Sequence, residues 1–284
     1  MTHFVDLHAH LYFDVFDNNR ESIISDMREK GVVAINVGVD IESSLRALRL
    51  NELYPDVFRT VIGQHPLYFY KNEEVWKNMD QSGVDKLIGD FALEMEDILN
   101  GTHKDFIVGI GECGLDFKNE DDRPQSTSSW RHVAQVSVFR KQIELAIKYN
   151  LPLMLHIRES YDETLTILQE YFKEGDVRYK GNAHFFVGDA SHVDRFIKLG
   201  FSVSFTGVVT FVKDYANLVS HVDMNSLYLE TDSPYVAPVP VRGQQNNPVN
   251  VVHIYEKVAK IRGIDLEMLK NDIYMRSKRY WLLP

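Results

Sequence analysis

The sequence predicts an α/β fold of the (β/α)8 type, a TIM barrel. Short apolar runs alternate with helical patterns along the whole chain, with no obvious linker between them. Strands separated by helices at this spacing pair in parallel through right-handed crossovers. The length of 284 residues is near the roughly 250 of a typical single barrel. Six metal-ligating side chains, His8, His10, Glu112, His156, His184 and Asp232, stand at or just past the ends of apolar runs. Barrel enzymes draw their functional groups from the carboxyl ends of several strands. An open parallel sheet would give the same alternation, because a sequence does not display closure.

The elements follow in order. Phe4-Val5-Asp6-Leu7 reads as strand one and delivers His8 and His10. Residues 19–30 read as a helix, with Ile23, Ile24 and Met27 on one face and Gly31 as the stop. A buried strand covers 32–37. Asp40 is a candidate N-cap, and a helix continues over 44–54. Strand three covers 57–62 and leads into Gly63-Gln64-His65-Pro66. The stretch 71–105 is the least regular, with helices expected near 73–79 and 82–100. It reads as an insertion in a single domain of residues 1–284. Strand four, 107–110, delivers Glu112. A polar loop over 119–130 precedes a long amphipathic helix over 133–149. Strand five, 152–155, delivers His156, and a helix follows at 161–172. Strand six, 181–183, delivers His184 and is followed by a helix at 191–199. Strand seven is 202–204, with a helix at 215–221. Strand eight, 227–229, delivers Asp232, and helices over 248–262 and 266–280 close the chain. No internal repeat, heptad run or low-complexity tract interrupts the pattern.

Composition narrows the function classes. Apolar residues make up 44% and charged residues 25%, ordinary values for a folded protein able to bury its own core. The single cysteine, Cys113, cannot build a disulfide framework and fits a reducing compartment. Met1-Thr2-His3-Phe4-Val5-Asp6 does not read as a secretory leader, and no apolar run reaches the length of a membrane helix. The expectation is a cytoplasmic protein, or a nuclear one in a eukaryote, with no membrane contact and no obligate protein partner. A net charge of −10 argues against holding duplex nucleic acid by broad phosphate neutralisation. Bound dications would add local positive charge that this count misses.

Side chains two apart on a strand point the same way, so His8 and His10 can share one dication. Taken alone, the pair fits equally well as two satisfied polar residues at a strand end. Asp6 points to the same face, deeper, as a partner for the groups above it. In Gly109-Ile110-Gly111-Glu112-Cys113-Gly114-Leu115-Asp116 the glycines allow close backbone approach, and a carboxylate among them can bridge two metals. A glycine-rich strand-to-loop turn explains the glycines as well. Asp116 supports a neighbour, and Cys113, facing away from Glu112, is a small buried apolar group. His156 is a ligand or a hydrogen-bonded strand end. Arg158, two residues on, pairs with a phosphate oxygen or with an internal acid. Asp232 in Glu230-Thr231-Asp232-Ser233-Pro234-Tyr235 can bind metal and accept a proton from water, which makes it, with Glu112, the candidate catalytic pair. Glu230 orients another group. His65 touches substrate or is a turn histidine fixed by Pro66. His3, His103, His132, His192, His221 and His253 read as surface or structural.

Taken together these strings resemble the TatD-type metal-dependent deoxyribonucleases, within the broader amidohydrolase-like barrels. The resemblance runs from His8 to about Ile261. It is carried in order by His8-Ala9-His10, the turn at His65, the string around Glu112, His156-Ile157-Arg158, the Phe and Gly after His184, and the string through Asp232. It implies that His8, His10, Glu112 and Asp232 hold one metal, and that Glu112, His156 and His184 hold a second. It also implies that Asp232 is the general base and that His65 and Arg158 face substrate. Two departures stand out. Where the family has Cys-Phe-Thr-Gly, this chain has Phe185-Phe186-Val187-Gly188. In Arg242-Gly243-Gln244-Gln245-Asn246-Asn247-Pro248, Gln245 stands where a second arginine is common and Asn247 where glutamate is common. That stretch therefore offers less positive charge to phosphate.

The expected activity is hydrolysis of DNA phosphodiester bonds, exonucleolytic on single-stranded ends, with two divalent ions activating water. Imidazole-rich ligation suits zinc, manganese, nickel or iron better than magnesium. The family is often described as magnesium-dependent, so magnesium, zinc and manganese all stay open. A small-molecule amidohydrolase or esterase on the same barrel is the alternative, since fold does not fix substrate. A metal-binding scaffold without turnover is the third reading, and the full set of ligands disfavours it.

Overall fold

The computed structural model describes residues 2–68, 80–118, 130–176 and 178–284. One sheet holds β1 (Phe4–Ala9), β2 (Val32–Val37), β3 (Phe58–Ile62), β4 (Ile107–Asp116), β5 (Leu153–Arg158), β6 (Gly181–Ala183), β7 (Phe201–Phe205) and β8 (Leu227–Leu229). The strands lie in chain order and each neighbouring pair is parallel. The connections carry α1 (Arg20–Lys30), α2 (Ile41–Leu53), α3 (Gln81–Asn100), α4 (Trp130–Tyr149), α5 (Tyr161–Tyr171), α6 (Ala190–Lys198) and α7 (Tyr215–His221). After β8 come α8 (Val251–Arg262) and α9 (Leu266–Tyr280). The fold is the expected (β/α)8 barrel. The expected helix at 73–79 and nearly all of the polar loop at 119–130 lie outside the described residues.

Closure comes at a seam between β1 and the segment after β8. The backbone N–H of Asp232 donates to the carbonyl of His8 at 2.9 Å, and that of His10 to Ser233 at 2.9 Å. Ala9 and Ser233 form a parallel bridge. The carboxylate of Asp6 reinforces the seam, accepting from the Thr231 amide at 2.8 Å and the Thr231 hydroxyl at 2.5 Å. His8, His10 and Asp232 are therefore fixed to one another by the same bonds that shut the barrel.

Local signals behave as chemistry dictates. Gly31 ends α1 in the left-handed region (φ 64°). Asp40 caps α2 and shares a reciprocal capping box with Ser43, so that helix starts at Ile41, three residues before the position expected. The largest difference is β4. It runs ten residues to Asp116, fully buried, and does not stop at 110. Gly111 and Gly114 sit inside the strand, at φ 150° and 139°, where a Cβ would collide with the backbone of Met154 and His156 on β5. These glycines permit close strand approach and do not make a turn. β5 likewise extends to Arg158, placing His156 and Arg158 within the strand itself. The expected helix at 248–262 is a 3-10 turn (Pro248–Asn250) followed by α8, with the Asn247 side chain capping the turn.

Trp281, just after α9, is fully buried. A Cβ added at Gly109 near the start of β4 would lie 2.9 Å from its ring, and its indole N–H donates to the Tyr179 hydroxyl at 3.0 Å. The indole thus plugs the amino-terminal end of the barrel, opposite the mouth. Trp281→Ala is expected to cost about 3–5 kcal/mol of stability, read as a lower urea midpoint. A loss below about 1 kcal/mol would mean this end is closed by something else.

Candidate metal centre

The six candidate ligands converge at the carboxyl end of the barrel. β1 presents His8 and, one residue past its end, His10. β4 presents Glu112 and β5 presents His156. His184 follows β6, its amide donating to the Leu155 carbonyl at 3.0 Å. Asp232 follows β8 in the left-handed region (φ 52°), where a non-glycine residue is strained. The seam bonds hold it there.

Their atoms form two groups that meet at Glu112. In the first, the Nε2 atoms of His8 and His10 are 3.1 Å apart. Glu112 Oε2 lies 3.4 and 3.8 Å from them, and Asp232 Oδ1 lies 3.9 and 3.6 Å from them. In the second, Glu112 Oε1 lies 2.8 Å from His184 Nε2 and 2.9 Å from His156 Nδ1. Those two nitrogens are 3.5 Å apart. Four ligands at about 2.0–2.2 Å around a tetrahedral ion sit roughly 3.3–3.6 Å from one another. The first group has about that spacing; in the second the two contacts to Glu112 Oε1 are shorter, at hydrogen-bond length, and the donor types of both groups suit a dication.

Tautomers sharpen the assignment. The Nδ1 of His10 is 2.7 Å from the Val37 carbonyl and must carry the proton, which leaves the Nε2 lone pair facing the first group. His184 presents Nδ1 to Glu230 at 3.3 Å, and His156 presents Nε2 to Asp116 at 3.0 Å. Each then offers its other nitrogen to the second group. Imidazoles that hold metals are commonly oriented in this way by a partner behind them. His8 Nδ1 has no hydrogen-bond partner among the described residues. His65 differs. Its Nδ1 accepts from the Leu67 amide at 3.0 Å, so in the neutral ring Nε2 carries the proton and points at Glu112 Oε1, 3.2 Å away. His65 is therefore built as a donor beside the second group.

Asp116 and Glu230 stand behind ligands, while Asp6 bonds Thr231 instead of a ligand side chain. Asp6 ties the seam, Asp116 holds His156 and Glu230 holds His184. Cys113 is buried with its thiol toward the Ile110 and Met154 carbonyls. Among the described residues the other histidines lie away from the centre, for instance His103 paired with Glu52 and His221 with Asp194. Arg158 is exposed and lines the same cavity of about 700 Å³ as His65, Glu112 and Asp232. Asn246 was not singled out by the sequence reading. It is buried, and its side-chain amide donates to the carbonyls of Thr231 at 3.1 Å and Tyr235 at 2.7 Å, pinning the loop that carries Asp232. Its only sequence signal was its place in the 242–248 string.

Charge in the cluster is shared. Burial opposes ionisation of Glu112, but the imidazoles of His65, His184 and His8 and a hydrogen bond from His156 hold its carboxyl well below the usual range. Burial pulls His8 down to about 3, helped by repulsion from His184. Burial also opposes charge on His184, yet Glu112 and Glu230 hold it well above its ordinary value. His156 is raised in the same way, its burial outweighed by hydrogen bonds to Asp116 and Glu112. His156 and His184 each lie between Glu112 and a second buried acid, Asp116 or Glu230, which is why both are raised.

Known proteins resemble this chain along nearly its whole length. The family model described as TatD related DNase matches residues 5–281. An uncharacterized metal-dependent hydrolase of Bacillus subtilis, YabD, is 32% identical over 277 residues, covering 96% of this chain and 97% of that one. A Pectobacterium parmentieri protein named 3'-5' ssDNA/RNA exonuclease TatD is 25% identical over 286 residues, covering 98% of this chain and 99% of that one. The crystal structure of YJJV, a TatD homologue from Escherichia coli, superposes with a TM-score of 0.80 at 22% identity. It covers 99% of this chain and 98% of that chain, a likeness of fold.

Two outcomes are expected of the metal-free protein. Glu230→Gln should weaken zinc affinity about 10- to 100-fold by loosening His184, measured by competition with a chromophoric chelator. Unchanged affinity would remove Glu230 from the centre. Because His156 and His184 keep protons above the ordinary value of 6.5, zinc must displace them. Affinity should then go on rising as pH is taken above 6.5, with proton release, seen by calorimetry in buffers of different ionisation enthalpy. A pH-independent affinity would contradict the raised values.

Proposed function

We propose, since the chain belongs to the family of TatD-related DNases, that it is a metal-dependent hydrolase cleaving phosphodiester bonds of DNA at single-stranded ends. The observation that carries this reading is the division of Glu112, whose two oxygens face two different sets of imidazole ligands. His8, His10, Glu112 and Asp232 hold one divalent ion, and Glu112, His156 and His184 hold a second. Zinc or manganese suits so many imidazoles better than magnesium. Bound ions supply Lewis acidity toward water and toward a phosphoryl oxygen.

The protein's own groups do the rest. Asp232 lines the cavity and accepts the proton of the attacking water. His65, through its Nε2–H, and Arg158, through its guanidinium, donate to phosphate oxygens and orient the scissile group. A loose strand end can lower its phosphate to ligands at the floor of a barrel mouth, whereas the stacked interior of a duplex cannot. The name of the Pectobacterium relative supports a single-stranded substrate and action from an end. Among the described residues no helix is long and apolar enough to cross a membrane. The lone buried Cys113 accords with a reducing compartment, and we assign the cytoplasm on that ground.

Asp232→Asn should lower turnover of an end-labelled oligonucleotide by about 10²–10⁴, with metal content retained because His8, His10 and Glu112 remain. Undiminished turnover would remove Asp232 as the base. Metal-loaded protein should trim the oligonucleotide and leave simple amides and esters intact. The reverse pattern would establish a small-molecule hydrolase, the reading favoured by the net charge of −10.

A further inference from the structure

We propose that the site holds the terminal nucleotide by its base, against an apolar wall built from Phe13, Phe185, Val187 and Tyr235, and grips that one nucleotide and not a length of strand. This rests on the phosphodiesterase reading above and specifies how its substrate is recognised. All four side chains line the cavity whose floor carries the ligands. The Phe13 ring lies parallel to that of His10, with centroids 4.9 Å apart and planes 8° from parallel, which seats it beside the first ligand group. Phe185 directly follows His184 and is held in the left-handed region (φ 43°) by its amide donating to Glu230 at 2.7 Å. Strain of that kind persists where the surroundings enforce it.

Val187 and Tyr235 are 48% and 55% exposed, large apolar side chains left open to water beside a polar floor. Neither rides on a loose loop. The Val187 amide donates to the Tyr161 hydroxyl at 2.9 Å, and the Tyr235 carbonyl accepts from Asn246 at 2.7 Å. A rigid wall of rings over a hydrolytic floor matches a flat, aromatic ligand group attached to a phosphodiester. A nucleobase is that group, and stacking on aromatic side chains tolerates any base.

Charge supports the same occupant. Arg158 is the only arginine or lysine lining the cavity among the described residues, and Asp40 lines it too. With a net charge of −10, the described lining offers no basic track for a run of phosphates, which leaves the base as the source of binding energy there.

The test uses the full chain loaded with manganese and labelled single-stranded oligonucleotides whose two terminal residues are either intact or abasic. Removing the terminal bases should lower kcat/KM of the wild-type protein about 5- to 150-fold, the range that stacking supplies per base. Tyr235→Ala should bring the intact-to-abasic ratio toward one, and Tyr235→Phe should keep it. The slope of log kcat/KM against log salt should be near −0.7, one phosphate contact on a single strand. Equal cleavage of intact and abasic ends by the wild-type protein, which needs no variant to fold, would overturn this inference alone. So would an unchanged ratio in a folded Tyr235→Ala protein, or a slope steeper than about −2. Failure to cut either oligonucleotide would overturn the phosphodiesterase reading and this inference with it.

Discussion

The barrel mouth is organised around the buried carboxylate of Glu112. Glu112 is 4% exposed, and an uncompensated carboxylate at that depth costs several kcal/mol. Four strand ends answer it with imidazoles: His8 and His10 from β1, His65 after β3, His156 on β5 and His184 after β6. Protons on His156 and His184 can balance the carboxylate, and so can dications. The arrangement that makes the metal-free centre tolerable is therefore the arrangement that makes it competent to bind metal, with each proton exchanged for a share of an ion. Four of the five rings, His8 being the exception, are then restrained from behind, so their nitrogens face inward before any ion arrives.

That restraint continues down the barrel. Glu230 accepts from the Ser204 hydroxyl at 2.6 Å, and Ser204 lies 2.6 Å from the Asn182 amide nitrogen. Asn182 accepts from Ser202 at 2.8 Å, Ser202 meets the Tyr179 hydroxyl at 2.8 Å, and Tyr179 accepts from the indole of Trp281. A polar column thus joins the centre at the mouth to the plug at the opposite end. Buried networks of this kind are rigid when every member is satisfied and costly when one is lost. The column explains why polar serines and an asparagine occupy interior positions of β6 and β7 that packing alone would fill with aliphatic side chains.

Much of this was legible in the chain before any coordinates. Period and length gave the eight strands, and the strand ends gave His8, His10, Glu112, His156, His184 and Asp232 as a set. Two things were hidden for physical reasons. The extent of β4 was misread because Gly111 and Gly114 look like turn residues locally, and only the proximity of Met154 and His156 shows that a Cβ has no room there. Asn246 carries no chemistry of its own, and its importance lies in three hydrogen bonds to a loop eleven to fifteen residues upstream. Contacts of that sort leave no periodicity and no motif. Closure was hidden for the same reason, since the Asp6–Thr231 pair spans 225 positions.

The floor and the wall of the site obey different constraints. Floor residues lie on strands or within three residues of a strand end, and each is tied by hydrogen bonds to the seam, to a supporting acid or to a backbone carbonyl. Moving one disturbs several. Wall residues hang from loops at fixed backbone positions, but their side chains reach into the cavity with few polar ties. Phe185 shows the division within one residue: its amide is bound to Glu230 and belongs to the support of His184, while its ring is free of that duty. A change of side chain there alters what the mouth accepts without disturbing the ligands below. Catalytic chemistry on this barrel is thus set by residues that cannot vary independently, and substrate choice by residues that can.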